Sequence, residues 1–335
     1  MRIGLALPHY GYSFPDGGPL TWAALTDAAT RAEALGFDSL WISDHFFLDI
    51  ARYGGPPGPH ATLEPFTALA GLAQVTERAR LGTLVACASF RHPALVAKLA
   101  TVIDLASGGR FDLGLGAGWY EPEYEAFGYA YESVGERMSA LEETVEVVGG
   151  LFGEGPFSFE GRRLRLEGAY GLPRTVQPDG PPIWVGGKGG PRLLRLVARH
   201  AAGWNTVWRW TPDAYGERAA ELERIAEKDG RDPATVRRSV GLYALVGEDE
   251  RDLTARYEAL RAWAPGGALD TVTLEDYSAD TLTGTPEQCL DRLGAFAGHG
   301  VEEMIVGAAS LPFAVFDWSM VELIAQALVS RAHEL

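Results

Sequence analysis

Cysteine is scarce in this chain, and its scarcity excludes a fold held together by disulfide bonds, since only Cys87 and Cys289 occur among 335 residues. Both lie in apolar patterns, so we expect two buried thiols in a reducing compartment. The seven histidines are scattered singly, which argues against a metal centre. No apolar run reaches the roughly 18 residues that a membrane-spanning helix needs.

Positive charge is also in short supply, because 29 Lys and Arg residues stand against 45 Asp and Glu residues and give a net charge of −16. An acidic protein is attracted neither to nucleic acid nor to an anionic membrane, so we expect neither partner. The N-terminal residues enter a strand pattern without a charged leader or cleavage site. These features predict a cytoplasmic protein, in which an anionic ligand would need a local cationic or amide-lined pocket.

Short apolar runs alternate with segments of helical periodicity along the whole chain. The eight predicted strands are Arg2–Pro8, Ser39–Asp44, Ala79–Cys87, Phe111–Gly116, Pro182–Gly186, Gly203–Val207, Ser239–Val246 and Glu303–Gly307. Eight strands, each followed by a helix, predict an α/β fold, a (β/α)8 TIM barrel that spans residues 1–335 as one domain. Inserted segments are expected at about 152–181, with a β-hairpin around Gly161, and at about 248–285, with a helix at Arg251–Trp263.

Barrel enzymes place their chemistry at the C-terminal ends of the strands, so the residues there are candidate site residues. After the second strand, Asp44 and His45 are ionisable groups among aromatic residues, suited to proton transfer or to hydrogen bonding with a cofactor ring. The alternative is that Asp44 caps a turn and His45 only packs. After the first strand, His9 either lines a pocket wall or contacts substrate. Arg91 lies in the loop after the third strand and is interpreted as a solvated charge.

Glycine-rich turns follow the fourth and fifth strands. Gly116 and Gly118 would let a flat ring approach closely, although their spacing does not match a dinucleotide-binding fingerprint. The run 186–190 has four glycines around Lys188 and leads directly into a helix. Free backbone N–H groups, the helix dipole and the lysine together predict an anion site there, with a flexible turn as the alternative.

Four blocks of the sequence resemble the bacterial luciferase-like superfamily of flavin and deazaflavin oxidoreductases. The blocks are GFDSLWISDHF, RFDLGLGAGWYEPEYEAFG, PPIWVGGKGGPRLLRLVARHAAGWN and GTPEQCLDRLGAFAGHGVEEMIV, in that order. The resemblance covers about residues 1–306 and implies a TIM barrel with inserted segments, in agreement with the strand count. The Ser43-Asp44-His45 block is most similar to the branch that uses coenzyme F420, a deazaflavin.

The resemblance implies roles for residues at the strand ends. Asp44 and His45 would be the catalytic residues, beside the cofactor ring, and a non-prolyl cis peptide bond would fall near Leu84-Val85. The implied cofactor-binding residues are Asp44, His45, Leu84, Val85, Cys87, Gly116, Gly118, Gly186, Gly187, Lys188, Gly189 and Arg192. The implied substrate-pocket residues are His9, Tyr10, Tyr12, Phe46, Trp119 and Tyr120. Trp119 stands where related sugar-phosphate dehydrogenases have a glutamate, with Glu121 and Glu123 further on, so the proton donor stays unassigned.

Three functional hypotheses follow from the resemblance. The first is hydride transfer between F420 and a small, largely apolar substrate. The second is an FMN-dependent monooxygenase that receives reduced flavin from a partner reductase. The third is a non-catalytic flavin-binding barrel, which would predict a degraded site after the second strand. An oligoglutamate tail on F420 would favour several cations beside the glycine turn, where Lys188, Arg192 and Arg195 are candidates. A homodimer is expected by resemblance.

Overall fold

The computed structural model describes residues 1–15 and 17–335, in which eight parallel strands close into a barrel surrounded by helices. The barrel strands are Arg2–Ala6, Ser39–Ile42, Arg80–Thr83, Phe111–Gly116, Ile183–Gly186, Gly203–Trp208, Arg237–Val246 and Glu303–Gly307. Each strand pairs with the next one along the chain, and the ring closes where Arg2 pairs with Glu303. The predicted TIM barrel is confirmed.

Helices follow the strands and pack around the barrel. The α-helices are Trp22–Ala34, Pro65–Leu72, Pro93–Ser107, Glu121–Ala126, Val134–Phe152, Pro191–His200, Pro212–Lys228, Glu250–Trp263, Leu274–Ser278, Pro286–Ala297, Trp318–Ile324 and Ser330–Ala332. Shorter 3-10 turns lie at Ile50–Tyr53, Pro233–Thr235 and Pro265–Gly267, and a π-helical turn lies at Ala325–Val329. Proline begins five of the α-helices, where its missing N–H leaves no hydrogen bond unmade. Among the described residues, no helix has the length and apolar character to cross a membrane.

Two tryptophans fill the barrel interior, and glycines on neighbouring strands make room for them. A Cβ added to Gly82 would lie 2.2 Å from Cζ3 of Trp41, and one added to Gly203 would lie 2.5 Å from Cζ3 of Trp184. Alanine at either position would overlap an indole ring that is fully buried. The barrel is therefore a packed core, and a ligand must bind at one of its ends.

Buried charges close the N-terminal end of the barrel. Glu303 accepts hydrogen bonds from Arg2 at 2.8 Å and from the hydroxyl of Ser39. Arg80 donates to Asp112 at 2.5 Å. Burial raises the pKa of Glu303, and its donors compensate part of the cost of burying a carboxyl group. Since these polar groups satisfy one another, the opposite end of the barrel is the one left for a ligand.

The structure corrects several predicted boundaries. The third predicted strand divides into Arg80–Thr83 and Ala86–Cys87, with a cis peptide bond between Leu84 and Val85, where the resemblance implied one. The last predicted helix, 321–333, begins earlier, at Trp318. A short antiparallel pair, Phe47–Asp49 with Pro59–Ala61, was not predicted, because three-residue strands are too short to display a period.

Both inserted segments have regular structure. In the first, Pro156–Glu160 pairs antiparallel with Arg165–Tyr170, which confirms the predicted hairpin. In the second, the predicted helix is present at Glu250–Trp263. The polar stretch after it also contains the helix Leu274–Ser278 and the strand Leu282–Gly284, which extends the sheet beside the seventh barrel strand.

Candidate active site at the barrel mouth

Loops at the C-terminal end of the barrel, its mouth, bring together predicted residues from four different strands. His45, after the second strand, lies 5.6 Å from the ring of Trp119, after the fourth, and 6.3 Å from the ring of Tyr10, after the first. Asp44 accepts a hydrogen bond from the backbone N–H of Cys87, after the third strand, at 2.8 Å. The separate motifs at the strand ends therefore form one site.

The imidazole of His45 contacts a buried carboxylate. Its Nδ1 lies 2.9 Å from Oε1 of Glu123, and Oε2 of the same carboxylate accepts a hydrogen bond from the backbone N–H of Phe46 at 2.9 Å. Glu123 is 2% exposed and His45 is 12% exposed. Among the described residues, Nε2 of His45 has no hydrogen-bond partner. This nitrogen is therefore free to bond a ligand or a water molecule.

Asp44 is held by a neighbouring arginine. Its two oxygens accept hydrogen bonds from the guanidinium of Arg91 at 2.6 and 3.0 Å, and Arg91 also donates to Glu64 at 2.7 Å. Arg91 is largely buried, so its interpretation as a solvated loop charge is wrong. Because Asp44 also binds the N–H of Cys87, it fixes the loop after the third strand. Its catalytic role stays a prediction.

Cys87 packs beneath a tyrosine hydroxyl. Its Sγ lies 3.0 Å from Oη of Tyr124, and burial raises the pKa of the thiol to about 12. Gly118 has a φ of 75°, and a Cβ there would lie 1.9 Å from the same hydroxyl. Glycine is required at position 118 both by this backbone conformation and by the packing of Tyr124. The thiol is neutral at physiological pH and is not a ready nucleophile.

Val85 projects between the glycines of the fourth and fifth strands. A Cβ on Gly116 would lie 2.6 Å from Cγ2 of Val85, and a Cβ on Gly186 would lie 2.7 Å from its Cγ1. Sequence reasoning predicts that Gly116 admits a flat ring and that Gly186 belongs to an anion site, whereas in the structure both glycines make room for this side chain. Leu84 before it is buried and Val85 is half-buried, so Val85 forms a solid apolar surface at the mouth.

His9 is enclosed by the protein. Its Nδ1 donates to the carbonyl oxygen of Leu7 at 2.9 Å, and its Nε2 accepts from the backbone N–H of Ser43 at 3.2 Å. Burial lowers the pKa of His9 to about 3, so the ring is neutral. The hydroxyl of Ser43 in turn lies 2.5 Å from the hydroxyl of Tyr10. His9 therefore supports Ser43 and Tyr10 from behind the site.

Aromatic side chains form much of the wall of the mouth. Tyr12 stacks on Tyr10 with ring centroids 5.1 Å apart, and Trp119 lies 5.2 Å from Tyr120. Tyr10 and Tyr120 are buried, whereas Tyr12 is half-buried and Trp119 is exposed. The pKa values of Tyr10 and Tyr12 are raised by burial, so both hydroxyls are neutral. These rings offer an apolar surface with a few hydroxyl groups, which suits a small, largely apolar molecule.

The later strands extend this aromatic wall, and sequence reasoning did not single out their residues. Trp208 stacks on Tyr243 at 5.3 Å, and Phe313 meets the edge of Trp208 at 5.2 Å. Phe46, which the resemblance implies as a pocket residue, stacks at 4.4 Å on Phe127 in a neighbouring aromatic cluster. The ring of Phe46 therefore packs in that cluster, beside the mouth.

The glycine turn after the fifth strand is held by its neighbours. The N–H of Gly187 donates to the carbonyl of Asn205 at 3.0 Å, and the indole of Trp204 donates to the carbonyl of Gly187 at 2.9 Å. Gly189 has a φ of 77°, with the Trp204 ring beneath it. The helix Pro191–His200 then begins without a side-chain cap. Its first N–H groups are free to bind an anion, and the flexible-turn alternative does not fit this bonding.

The three predicted cations beside this turn have different surroundings. Lys188 is exposed, and its ammonium lies 5.0 Å from the centre of the Trp210 ring. The guanidinium of Arg192 instead binds both oxygens of Glu142, at 2.7 and 2.6 Å. Arg195 is exposed on the same helix. In this arrangement Lys188 is the cation on the turn itself, while the charge of Arg192 is neutralised by a carboxylate.

Arg137 is a buried cation at the start of the helix Val134–Phe152. It is 6% exposed, stacks at 4.1 Å on the ring of Tyr131, and its Nε has no hydrogen-bond partner within the described chain. Tyr131 donates to the carbonyl of Trp119 at 3.0 Å, and Arg192 donates to the carbonyl of Gly135 at 2.9 Å. Arg137 therefore packs beside the loop after the fourth strand, and its Nε is buried.

Sequence reasoning named Glu123 without a role and did not consider Arg137. Glu123 lies between the exposed Glu121 and Glu125 in a six-residue helix, so no pattern distinguishes it from its neighbours. Arg137 follows Ser133, the N-cap of a predicted helix, and is one charge among several in its first turns. In the part of the chain that the structure describes, no three His, Cys, Asp or Glu side chains are grouped to hold a metal ion.

The sequence pattern of the luciferase-like monooxygenase family matches residues 1–303. The chain belongs to this family. Curated relatives include the pyrimidine monooxygenase RutA of Escherichia coli strain SMS-3-5 / SECEC, 35% identical over 236 residues, which are 67% of this chain and 60% of the relative. The chain thus spans less than two thirds of the length of these relatives. RutA from strain O127:H6 is equally similar.

Solved structures with the same fold include a dehydrogenase and a monooxygenase. An F420-dependent secondary alcohol dehydrogenase superposes with a TM-score of 0.73 at 21% identity, covering 98% of each chain. The EDTA monooxygenase EmoA from Chelativorans sp. BNC1 gives 0.77 at 18% identity, covering 100% of this chain and 93% of that one. At these identities the likeness concerns the fold.

Proposed function

We propose that this luciferase-like protein is a monooxygenase that uses reduced flavin mononucleotide and O2 to oxidise a small, largely apolar molecule. The observation that carries the proposal is the set of donors around the glycine turn. Lys188, the cation on this turn, suits a single phosphate group, because the charge of Arg192 is already matched by Glu142. An oligoglutamate tail, as on F420, would need more free cations than this one.

The residues present fit such a cofactor at both of its ends. At one end, the first N–H groups of the helix Pro191–His200 and the ammonium of Lys188 would bind the phosphate. At the other end, the apolar face of Val85 and the unpartnered Nε2 of His45 would meet the ring. The monooxygenase relatives at 35% identity support the same choice.

The chain itself would supply binding, orientation and proton handling. A reduced flavin supplies two electrons, so that one atom of O2 enters the substrate and the other leaves as water. His45 would hold or release a proton at Nε2, within a wall of aromatic rings that limits access of water. Tyr10, Trp119 and Tyr120 surround this imidazole.

Hydride transfer with F420 is the second candidate. The Ser43-Asp44-His45 block after the second strand favours it, because this block resembles the F420-dependent branch of the family. The same His45 would then handle the proton that accompanies the hydride. The intact His45 and its carboxylate oppose the third hypothesis, a non-catalytic barrel. A reductase that supplies reduced flavin and a second copy of the chain remain the predicted protein partners.

The proposal is tested by turnover with oxygen-18. The purified protein is mixed with a flavin reductase, NADH, FMN and a panel of small heterocycles and ketones that includes uracil. We expect a product that carries one oxygen-18 atom and forms only when FMN is present. Product formation that needs reduced F420 and no O2 would contradict the proposal and support the second candidate.

Charge removal at the glycine turn supplies the matched control. Lys188→Gln should raise the KM for reduced FMN about tenfold, since a hydrogen bond to a charged group contributes about 1.5 kcal/mol. Arg195→Gln, on the exposed face of the adjoining helix, should leave this KM unchanged. Equal effects of the two substitutions would mean that general surface charge, and not a phosphate site, attracts the cofactor.

A further inference from the structure

Glu123 is a buried carboxylate with a contact on each oxygen. Oε1 lies 2.9 Å from Nδ1 of His45, and Oε2 lies 2.9 Å from the backbone N of Phe46. Moving a carboxylate out of water is costly unless donors replace the lost solvent. Glu123 is nevertheless 2% exposed, so its two donors must compensate for its burial.

These contacts determine which nitrogen of His45 carries a proton. The backbone N–H of Phe46 can only donate, so Oε2 of Glu123 is an acceptor. With Glu123 as the carboxylate, both of its oxygens are acceptors, and the contact with His45 is then an Nδ1–H donating to Oε1. In neutral His45 the lone pair then lies on Nε2, the nitrogen without a partner among the described residues.

We propose that Glu123 is a positioning residue for the acid/base chemistry of His45. It keeps Nδ1 protonated, fixes the rotation of the ring, and leaves Nε2 as the atom that exchanges a proton with the ligand. Its effect on turnover rests on the proposed function, whereas its effect on the tautomer of His45 does not. Paired groups of this kind raise catalytic rates because the base needs no reorientation before it reacts.

Asp44 does not perform this task, although it is adjacent to His45 in sequence. Both of its oxygens bind Arg91, and one also binds the N–H of Cys87, so Asp44 holds the loop after the third strand. Glu123 instead arrives from the loop after the fourth strand. The two carboxylates therefore hold different parts of the mouth, and of the two it is Glu123 that hydrogen-bonds the imidazole of His45.

The direct test is the nitrogen-15 spectrum of the full chain labelled at histidine, recorded with and without reduced FMN. His45→Gln identifies the signals of His45 by their disappearance. We expect Nδ1 of His45 to be protonated throughout, with Nε2 as the unprotonated nitrogen of the neutral ring. A neutral His45 with its proton on Nε2 would overturn the proposal, whatever the enzyme turns over.

Substitutions then test whether the contact matters for turnover. Glu123→Gln keeps the size of the side chain but can offer an acceptor to only one of the two N–H groups. We expect kcat to fall about 100-fold with little change in KM, and no further loss when Glu123→Gln is added to His45→Gln. Glu121→Gln, an exposed carboxylate on the same helix, is the matched control and should leave kcat unchanged.

The outcomes separate the two proposals. If the losses of kcat caused by Glu123→Gln and by His45→Gln multiply in the double variant, Glu123 does not act through His45. That result would overturn this inference. If Glu123→Gln does not fold, Glu123→Asp keeps the charge, and a kcat well above that of His45→Gln supports the positioning role. A protonated Nδ1 together with no FMN-dependent product would leave the tautomer assignment standing and would reject only the proposed function.

Discussion

At the scale of single residues, two histidines of the mouth have opposite surroundings. His9 is fully buried, with one nitrogen donating to Leu7 and the other accepting from Ser43, and burial lowers its pKa to about 3. His45 is partly exposed and contacts the carboxylate of Glu123, and its other nitrogen has no hydrogen-bond partner among the described residues. A ring enclosed in this way can support the site, while a ring with a free nitrogen can act on a ligand.

The burial of His9 predicts a loss of stability in mild acid. The unfolded chain takes up a proton at His9 near pH 6.5, whereas the folded chain does not until about pH 3. Stability contributed by His9 is therefore present above pH 6.5 and is lost as the pH falls. Between pH 7.5 and pH 5 this loss amounts to about 2 kcal/mol of the free energy of unfolding.

Urea denaturation of His9→Asn at the two pH values checks this expectation. Asparagine does not titrate in this range, and its amide N–H can still donate to Leu7, so the variant should lose about 2 kcal/mol less than the wild type between pH 7.5 and pH 5. His200→Asn, at an exposed histidine, is the control and should behave as the wild type. An identical pH dependence in His9→Asn and the wild type would mean that His9 is not buried as a neutral ring.

The sequence predicted where Asp44 and His45 lie, because every barrel strand ends at the same mouth. It could not predict their partners. Glu123 is 78 positions from His45, and Arg91 is 47 positions from Asp44. Such pairs are chosen by the three-dimensional packing of loops, and a single sequence without homologues carries no signal that joins them.

At the scale of elements, long periodic segments were predicted and short ones were not. The hairpin formed by Pro156–Glu160 and Arg165–Tyr170 and the helix Glu250–Trp263 appear where their periodicity places them. The helices Glu121–Ala126 and Leu274–Ser278 were missed, because five or six residues complete fewer than two turns. The first of these missed helices carries Glu123, so the candidate site was incomplete for the same reason.

The glycines of the fourth strand give a prediction at this scale. Gly116→Ala should lower the free energy of unfolding by about 1–3 kcal/mol, because its Cβ would overlap Cγ2 of Val85. In a Val85→Ala background, Gly116→Ala should lower the free energy of unfolding by less than half of that amount. Chemical denaturation of the two single variants and the double variant measures this difference.

A second glycine supplies the control for that cycle. The Cβ of Gly118→Ala would overlap the hydroxyl of Tyr124. The loss in free energy of unfolding should therefore be the same in the wild-type and the Val85→Ala backgrounds. An equal cost of Gly116→Ala in both backgrounds would mean that Val85 does not require this glycine. The close approach of a ligand would then be the better explanation of the glycine at position 116.

At the scale of the whole molecule, the proposed function requires a strongly acidic chain to bind an anionic cofactor. The net charge of −16 repels a phosphate at long range, so binding has to come from local donors. The structure offers them at one place, where Lys188 and the start of the helix Pro191–His200 adjoin the mouth. The number of free cations there is what distinguishes a single phosphate from a longer acidic tail.

The most direct test of this account is a pair of anaerobic titrations of the purified protein, one with reduced FMN and one with reduced F420, at equal ionic strength. Tryptophan fluorescence should report both, since Trp119 and Trp208 lie in the wall of the mouth. The account predicts that reduced FMN binds at least about tenfold more tightly than F420, the difference that one hydrogen bond to a charged group provides. Tighter binding of F420 would contradict it and make hydride transfer to or from a deazaflavin the function of this barrel.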